Sequence, residues 1–262
     1  MIKLIVSDID GTLLPDGGNE LKPELFQTIL KLRQQGMQFA AASGRQWVSI
    51  ERIFEPIKEK IFYLSDNGAY VGLHGRNLYL NTIEPQLVRQ MAKEIREAGM
   101  IPMISGPDMV YLDERDKEIY DWLVNGYKFR VEQAEDLMKV PEPFIKVSAY
   151  RPTDIDPATK ELRRKYQDRL KITISGDMWM DCMAPGINKG EAVKLLQESL
   201  GISSRETMVF GDQMNDIEMM RQAYYSFAVG NARPEVKEAA RFQTDINVRD
   251  GVLKVLKLLA DD

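Results

Sequence analysis

The amino-acid sequence predicts an α/β protein: a parallel-sheet core interrupted by an inserted α+β domain. Short apolar runs alternate with amphipathic stretches from residue 3 to residue 64, the alternation then breaks off, and it resumes at residue 189. Strand–helix alternation of this kind builds parallel sheets with right-handed crossovers, and active sites in such sheets lie beyond the carboxyl ends of the strands.

Lys3 to Ile9 is a short, mostly apolar run, the pattern of a strand buried on both faces. Pro23 to Gln35 sets Leu25, Ile29 and Leu32 at helical spacing, with Pro23 in the first turn and Gly36 as a stop. Met37 to Ala42 is a second strand, Ser43-Gly44-Arg45 interrupts the pattern, Gln46 to Phe54 is helical, and Ile61 to Leu64 is a third strand. After Asp66-Asn67-Gly68, the runs Ala69 to Leu73 and Asn77 to Leu80 form a hairpin through His74-Gly75-Arg76.

The inserted stretch then reads as a helix (Pro85 to Ala98), paired strands around Gly106-Pro107-Asp108, and a helix (Lys117 to Val124). A strand (Phe144 to Tyr150), a helix (Pro157 to Arg169) and a hairpin turning at Gly176-Asp177 complete it. The alternation resumes with a helix (Lys189 to Leu200), a strand (Thr207 to Phe210), a helix from Asn215, a strand (Ser226 to Val229) and a last helix (Val252 to Leu259). These divisions place the core at residues 1–81 and 185–262 and the inserted domain at 82–184.

Composition removes whole classes of function. Of 262 residues, 35 are basic and 40 acidic, a net charge of -5 that offers no footprint for nucleic acid or an anionic membrane. No apolar run approaches spanning length and the first is too short for a signal peptide, so the expected compartment is the cytoplasm. One cysteine, Cys182, precludes an intrachain disulfide, and with a single histidine, His74, a zinc site of several His or Cys ligands cannot be assembled. The working groups are therefore carboxylates, Lys and Ser.

Asp8 and Asp10 straddle the end of the first strand and are followed by Gly11, whose lack of a side chain suits a sharp turn. Residues two apart in a strand share a face, so both carboxylates can address one site, and like charges so close need a cation or proton between them. Magnesium, a hard ion that takes carboxylate oxygens and bridges to phosphate, meets that need. A second acidic cluster, Gly211-Asp212-Gln213-Met214-Asn215-Asp216, follows the strand Thr207 to Phe210 and faces the same crevice. Ser43, ending the second strand, and Lys189, at a helix start, can supply donors to a phosphate group.

Asp8-Ile9-Asp10-Gly11-Thr12-Leu13, Ser43-Gly44-Arg45, Lys189-Gly190 and Gly211-Asp212-Gln213-Met214-Asn215-Asp216 resemble the four ordered motifs of haloacid dehalogenase-like phosphatases. Asp66-Asn67-Gly68-Ala69 and the long insertion resemble the Cof-type subfamily, which implies a Rossmann-like core with a large α/β cap. Asn188 stands where that family frequently has Ser or Thr. The resemblance implies that Asp8 is the nucleophile, that Asp10 is the acid and base, and that Ser43, Gly44, Lys189 and Gly11 bind phosphate. It further implies that Asp8, the Asp10 backbone carbonyl and Asp212 hold Mg2+, with Asn215 or Asp216 on the ion or beside it. The implied partner is a small phosphorylated metabolite, a sugar phosphate or phosphorylated cofactor.

Asn67 fits either a supporting hydrogen bond near the nucleophile or a plain Asn-Gly turn, and Arg45 either a substrate contact or a pairing with a core carboxylate. Trp179 and Asp181, just before the return to the core, are candidates to meet substrate, although the same alternation suits a packed sheet. A phosphomutase or phosphotransferase, a carbon–halogen hydrolase and a phospho-aspartate signalling module are the competing readings. The sequence does not give the oligomeric state.

Overall fold

The computed structural model describes residues 1–15, 18, 20–175 and 178–261, and the expected turn at Gly176-Asp177 lies outside them. The chain forms two compact units, Met1–Tyr79 with Asn188–Asp262, and Leu80–Ile187.

The first unit is built on β1 (Leu4–Asp8), α1 (Pro23–Gln34), β2 (Gln38–Ala42), α2 (Trp47–Ile53), β3 (Phe62–Ser65), β4 (Tyr70–Leu73) and β5 (Arg76–Leu80). In the inserted unit follow α3 (Pro85–Glu97), β6 (Ile101–Ser105), β7 (Val110–Asp113), α4 (Lys117–Asp121), β8 (Val131–Ala134), β9 (Lys146–Tyr150), α5 (Asp156–Tyr166), β10 (Lys171–Ser175) and β11 (Trp179–Met183). The chain then returns through α6 (Lys189–Leu200), β12 (Thr207–Gly211), α7 (Ile217–Gln222), β13 (Tyr225–Ala228), α8 (Pro234–Ala239), β14 (Phe242–Gln243) and α9 (Gly251–Asp261).

The first sheet runs β14-β13-β12-β1-β2-β3-β4-β5. Its strands from β14 to β3 pair in parallel, and β4 turns back antiparallel to β3. Counted in chain order, the parallel strands lie 3-2-1-4-5-6, the order of a doubly wound α/β sheet. Every residue of β1 and β12 is buried, as strands covered on both faces must be. The order reverses between β1 and β12, so the crevice for a ligand opens beyond their carboxyl ends.

The inserted unit is a six-stranded sheet, β10-β11-β9-β6-β7-β8, antiparallel except where β8 joins β7 in parallel. Leu87, Val88, Met91, Ala92 and Ile95 form the buried stripe of α3, which packs on β6 and β9. The expected helix at Lys117 to Val124 is α only to Asp121 and continues as one π turn, Trp122–Gly126. That turn brings Trp122 against Tyr127, Tyr150 and Trp179. Among the described residues, no helix is long and apolar enough to cross a membrane.

Candidate active site

Strand register assembles the site. β1 aligns Ser7 with Phe210 of β12 on one side and Asp8 with Ala42 of β2 on the other. Asp8 therefore ends β1 beside Gly211, and Asp212 follows directly on the next strand. Oxygens of Asp8, Asp212 and Asp216 lie within 4.8 Å of one another, and all three residues are buried.

Lys189 occupies the first position of α6, whose N-terminus is capped by Asn188 accepting from the Glu191 amide at 2.9 Å. Asparagine caps as well as serine or threonine, so the departure from the family pattern leaves the helix start intact. Its own amine is 1% exposed at the side chain and donates to Asp8 Oδ1 at 2.5 Å and Asp216 Oδ1 at 2.6 Å. The second Asp216 oxygen accepts from the amides of Asp212 and Gln213, both at 2.9 Å, which fixes the acidic loop. Thr12 donates to Asp212 Oδ1 at 2.6 Å. Gly11 has φ of +81°, and a Cβ there would stand 2.3 Å from Asp212 Oδ2, so both conformation and space demand glycine.

Burial, then the nearby Asp216 carboxylate, raise the Asp8 pKa well above the usual carboxylate range; Asp212 adds to this and Lys189 opposes it. Burial works to lower the Lys189 pKa, but Asp216 and Asp8 override it and hold the ammonium well above its ordinary value. When all are ionised, the three carboxylates outnumber the one ammonium that Asp8 and Asp216 share. On the same loop, Asn215 carries a buried Oδ1 without a hydrogen-bond partner among the described residues. An all-oxygen donor set with that charge excess fits a hard divalent cation.

Asp10 does not join this cluster through its carboxylate. Arg45, 3% exposed, grips it as a fork, Nε to Oδ2 at 2.8 Å and Nη2 to Oδ1 at 2.6 Å, and also donates to the Gly18 carbonyl at 2.9 Å. Of the two possibilities left open for Arg45, the structure shows the carboxylate pairing, with a partner two residues beyond Asp8. Ser43 follows β2, is buried, and accepts from the Arg45 amide at 3.1 Å. Gly44 lies beside Asn67, whose amide atoms would stand 3.4 Å from an added Cβ. Asp66 and Asn67 hold φ of 49° and 55°, uncommon for residues with side chains. Asn67 Oδ1 accepts from Asn215 Nδ2 at 2.9 Å and so ties the β3 loop to the acidic loop.

The sequence reading passed over two groups that hold this loop. Thr12 was signalled only by its place in a turn after paired acids. Asn231, which donates to the Gly11 carbonyl at 2.7 Å, had no local signal at all. In the inserted unit, Trp179 packs with Tyr150 at a ring separation of 4.9 Å, and Asp181 accepts from Ser148 Oγ at 2.6 Å. Both side chains are on the sheet face opposite to Met180 and Cys182, which are fully buried. The Cys182 thiol is pushed up by burial, as for a packed rather than reactive cysteine.

A raised carboxyl pKa makes stability depend on pH. The unfolded chain releases the Asp8 proton from about pH 4 upward while the fold still retains it, so metal-free stability falls as pH rises through that window. Asp8→Asn in EDTA is expected to raise Tm by roughly 2–6 °C at pH 8 and by less at pH 5. Thermal denaturation across that range checks it; an equal Tm for both proteins at every pH would contradict the charge excess.

A family model described as haloacid dehalogenase-like hydrolase matches residues 5–256. A 5-amino-6-(5-phospho-D-ribitylamino)uracil phosphatase of Bacillus subtilis (strain 168) is 30% identical over 98% of this chain and 95% of its own. One of the same description from Escherichia coli (strain K12) is 28% identical over 97% and 95%. A crystal structure from Eubacterium rectale superposes with a TM-score of 0.92 at 30% identity, covering 98% of this chain and 99% of that one.

Proposed function

The chain belongs to the haloacid dehalogenase-like hydrolases, as a Cof-type phosphatase with a large inserted cap, and on that premise we propose that it is a magnesium-dependent cytoplasmic phosphatase of small phosphomonoesters working through an aspartyl-phosphate. The observation that carries this reading is the convergence of Asp8, Asp212 and Asp216 with Lys189 at the point where strand order reverses.

Asp8 attacks phosphorus, a P–O bond forms to its carboxylate, and the ester P–O bond breaks. Asp10 gives its proton to the departing oxygen, then as a carboxylate takes one from the water that attacks the phospho-aspartate, releasing phosphate and restoring Asp8. Arg45 sets where the Asp10 carboxylate rests between these steps. Lys189 offsets the Asp8 charge and, with Ser43 and the Gly44 backbone, supplies donors to the phosphoryl oxygens, whereas the Gly11 amide, expected from the sequence to join them, donates to the Leu14 carbonyl at 2.8 Å. Asp8, the Asp10 carbonyl and Asp212 would hold magnesium, with Asn215 and Asp216 beside it; when bound, the ion offsets repulsion between anionic nucleophile and anionic phosphate.

The inserted domain is the natural source of selectivity, with Trp179 and Asp181 as its candidate contacts. Relatives described as 5-amino-6-(5-phospho-D-ribitylamino)uracil phosphatases, and others described as HMP-PP phosphatases, support those phosphorylated compounds as the first substrates to try, with other phosphorylated cofactors and sugar phosphates next. The test is a screen of such compounds for phosphate release with magnesium and with EDTA. Release that requires magnesium and no added acceptor is expected. Turnover only when a sugar acceptor is added would make it a phosphotransferase, and metal-independent turnover would revive the carbon–halogen hydrolase reading.

A further inference from the structure

We infer that the turn following β13, residues 229–233, is a bracket that sets the spacing of the two loops assigned to the metal ion, and that Asn231 is its positioning residue. The inference rests on the magnesium reading of the site, in which Asp10 offers a main-chain carbonyl from the loop after β1 and Asp212 a carboxylate from the loop after β12.

The turn touches both loops. Its first residue, Val229, donates through its amide to the Gly211 carbonyl at 3.3 Å, and its last, Arg233, donates through its amide to the Asp212 carbonyl at 3.0 Å. Both bonds are main chain to main chain, so the turn follows the β12 loop whatever side chains it carries. It reaches the β1 loop through a side chain: Asn231 Nδ2 donates to the Gly11 carbonyl at 2.7 Å. At the other end of that amide, Oδ1 accepts from the Asn247 amide at 2.9 Å, and Asn247 Nδ2 donates to the Leu14 carbonyl at 3.2 Å. Because its nitrogen meets a carbonyl and its oxygen meets an N–H, the orientation of the Asn231 amide is fixed by its partners.

Two successive peptides of the β1 loop are held in this way. The Gly11 amide donates to the Leu14 carbonyl at 2.8 Å, and the Asp10–Gly11 peptide is trans and planar, so the Asp10 carbonyl points away from Leu14. Asn231 holds the next carbonyl along, and Asn247 backs the Leu14 carbonyl that takes the Gly11 amide. The backbone oxygen offered to the ion is thus aimed by groups that do not touch it, and partners standing behind a metal ligand tune the affinity for the metal.

Packing does not account for Asn231, an exposed residue that fills no core. The turn is instead seated by its neighbour Gly230: a Cβ there would stand 2.8 Å from Ile246 Cγ2, and its carbonyl accepts from Lys237 Nζ at 2.6 Å. Asn231 passes that fixed position on to the loop of Asp10. Thr12, bonded to Asp212 Oδ1, is a second tie between the two loops, so loss of Asn231 loosens the metal site without dismantling it.

The experiment titrates the full-length chain with Mn2+, an ion that shares magnesium's preference for oxygen ligands, and counts the free ion by electron paramagnetic resonance. Asn231→Ala is expected to raise the Mn2+ dissociation constant about tenfold, while Tm in EDTA falls by no more than ~2 °C. Thr244→Val is the control: it removes a comparable bond, from Thr244 Oγ1 to the Gly251 carbonyl at 2.8 Å, and should leave the constant within about twofold of wild type. Asp212→Asn, which alters a proposed ligand, is expected to weaken Mn2+ more than Asn231→Ala does. If Asn231→Ala leaves the constant within twofold, or Thr244→Val shifts it equally, the inference is overturned and the metal reading stands. If Asp212→Asn leaves Mn2+ binding as in wild type, the metal reading falls and the inference falls with it.

Discussion

Replacing Asp8 by asparagine is expected to lower kcat for phosphate release by at least about 10⁴-fold, the scale seen when a covalent nucleophile is removed. The change is nearly isosteric, and Lys189 keeps its bond to Asp216 Oδ1 at 2.6 Å, so the loss should come without unfolding. Single-turnover phosphate release, with circular dichroism as the control, separates the two. Residual turnover above a few per cent of wild type would mean that phosphorus is attacked by another group, and the aspartyl-phosphate route would have to be abandoned.

Lys189→Met should give the largest effect on stability. The lysine is the only cation in direct contact with the Asp8 and Asp216 carboxylates among the described residues, and all three side chains are almost wholly buried. Removing one partner of a buried ion pair leaves an uncompensated charge and costs about 3–5 kcal/mol. For a chain of this size that corresponds to a fall in Tm of roughly 6–20 °C in EDTA. Magnesium should recover part of it, because a divalent ion replaces some of the missing positive charge. Activity should fall more than ~100-fold even in saturating magnesium, since on the proposed mechanism a donor to the phosphoryl group is lost. In an Asp8→Asn background the same substitution should cost less, because one of the stranded carboxylates is gone. Equal costs in the two backgrounds would show that Lys189 is not coupled to Asp8.

Much of this was legible from sequence because it is local. β1 and β12 announce themselves as apolar runs, and their ends carry the acids that meet. What escaped depends on pairing across the fold. Arg45 finds Asp10 because β2 aligns Ala42 with Asp8, so residues shortly beyond each strand end become neighbours. Nothing near Arg45 in the chain specifies that choice. β8, with sequence Val-Glu-Gln-Ala, has too little apolar alternation to read as a strand and exists because β7 offers it an edge. β14, two residues long, and α8, six, are likewise shorter than any periodicity can mark. The π turn at Trp122–Gly126 follows from tertiary packing, where Trp122 meets Tyr150 and Trp179, and not from the preferences of its own residues.

The neighbouring position of β1 and β12 also bears on how the protein is made. A ribosome delivers Asp8 first and Asp212 only after the whole of Leu80–Ile187 has been synthesised. Until then the nascent β1–β3 layer keeps a bare hydrogen-bonding flank where β12 will dock. The inserted unit, with its own sheet, is complete before that flank is covered. The acidic cluster is therefore completed late and abruptly in biosynthesis, and a chain halted before residue 207 carries Asp8 without Asp212 or Asp216 beside it.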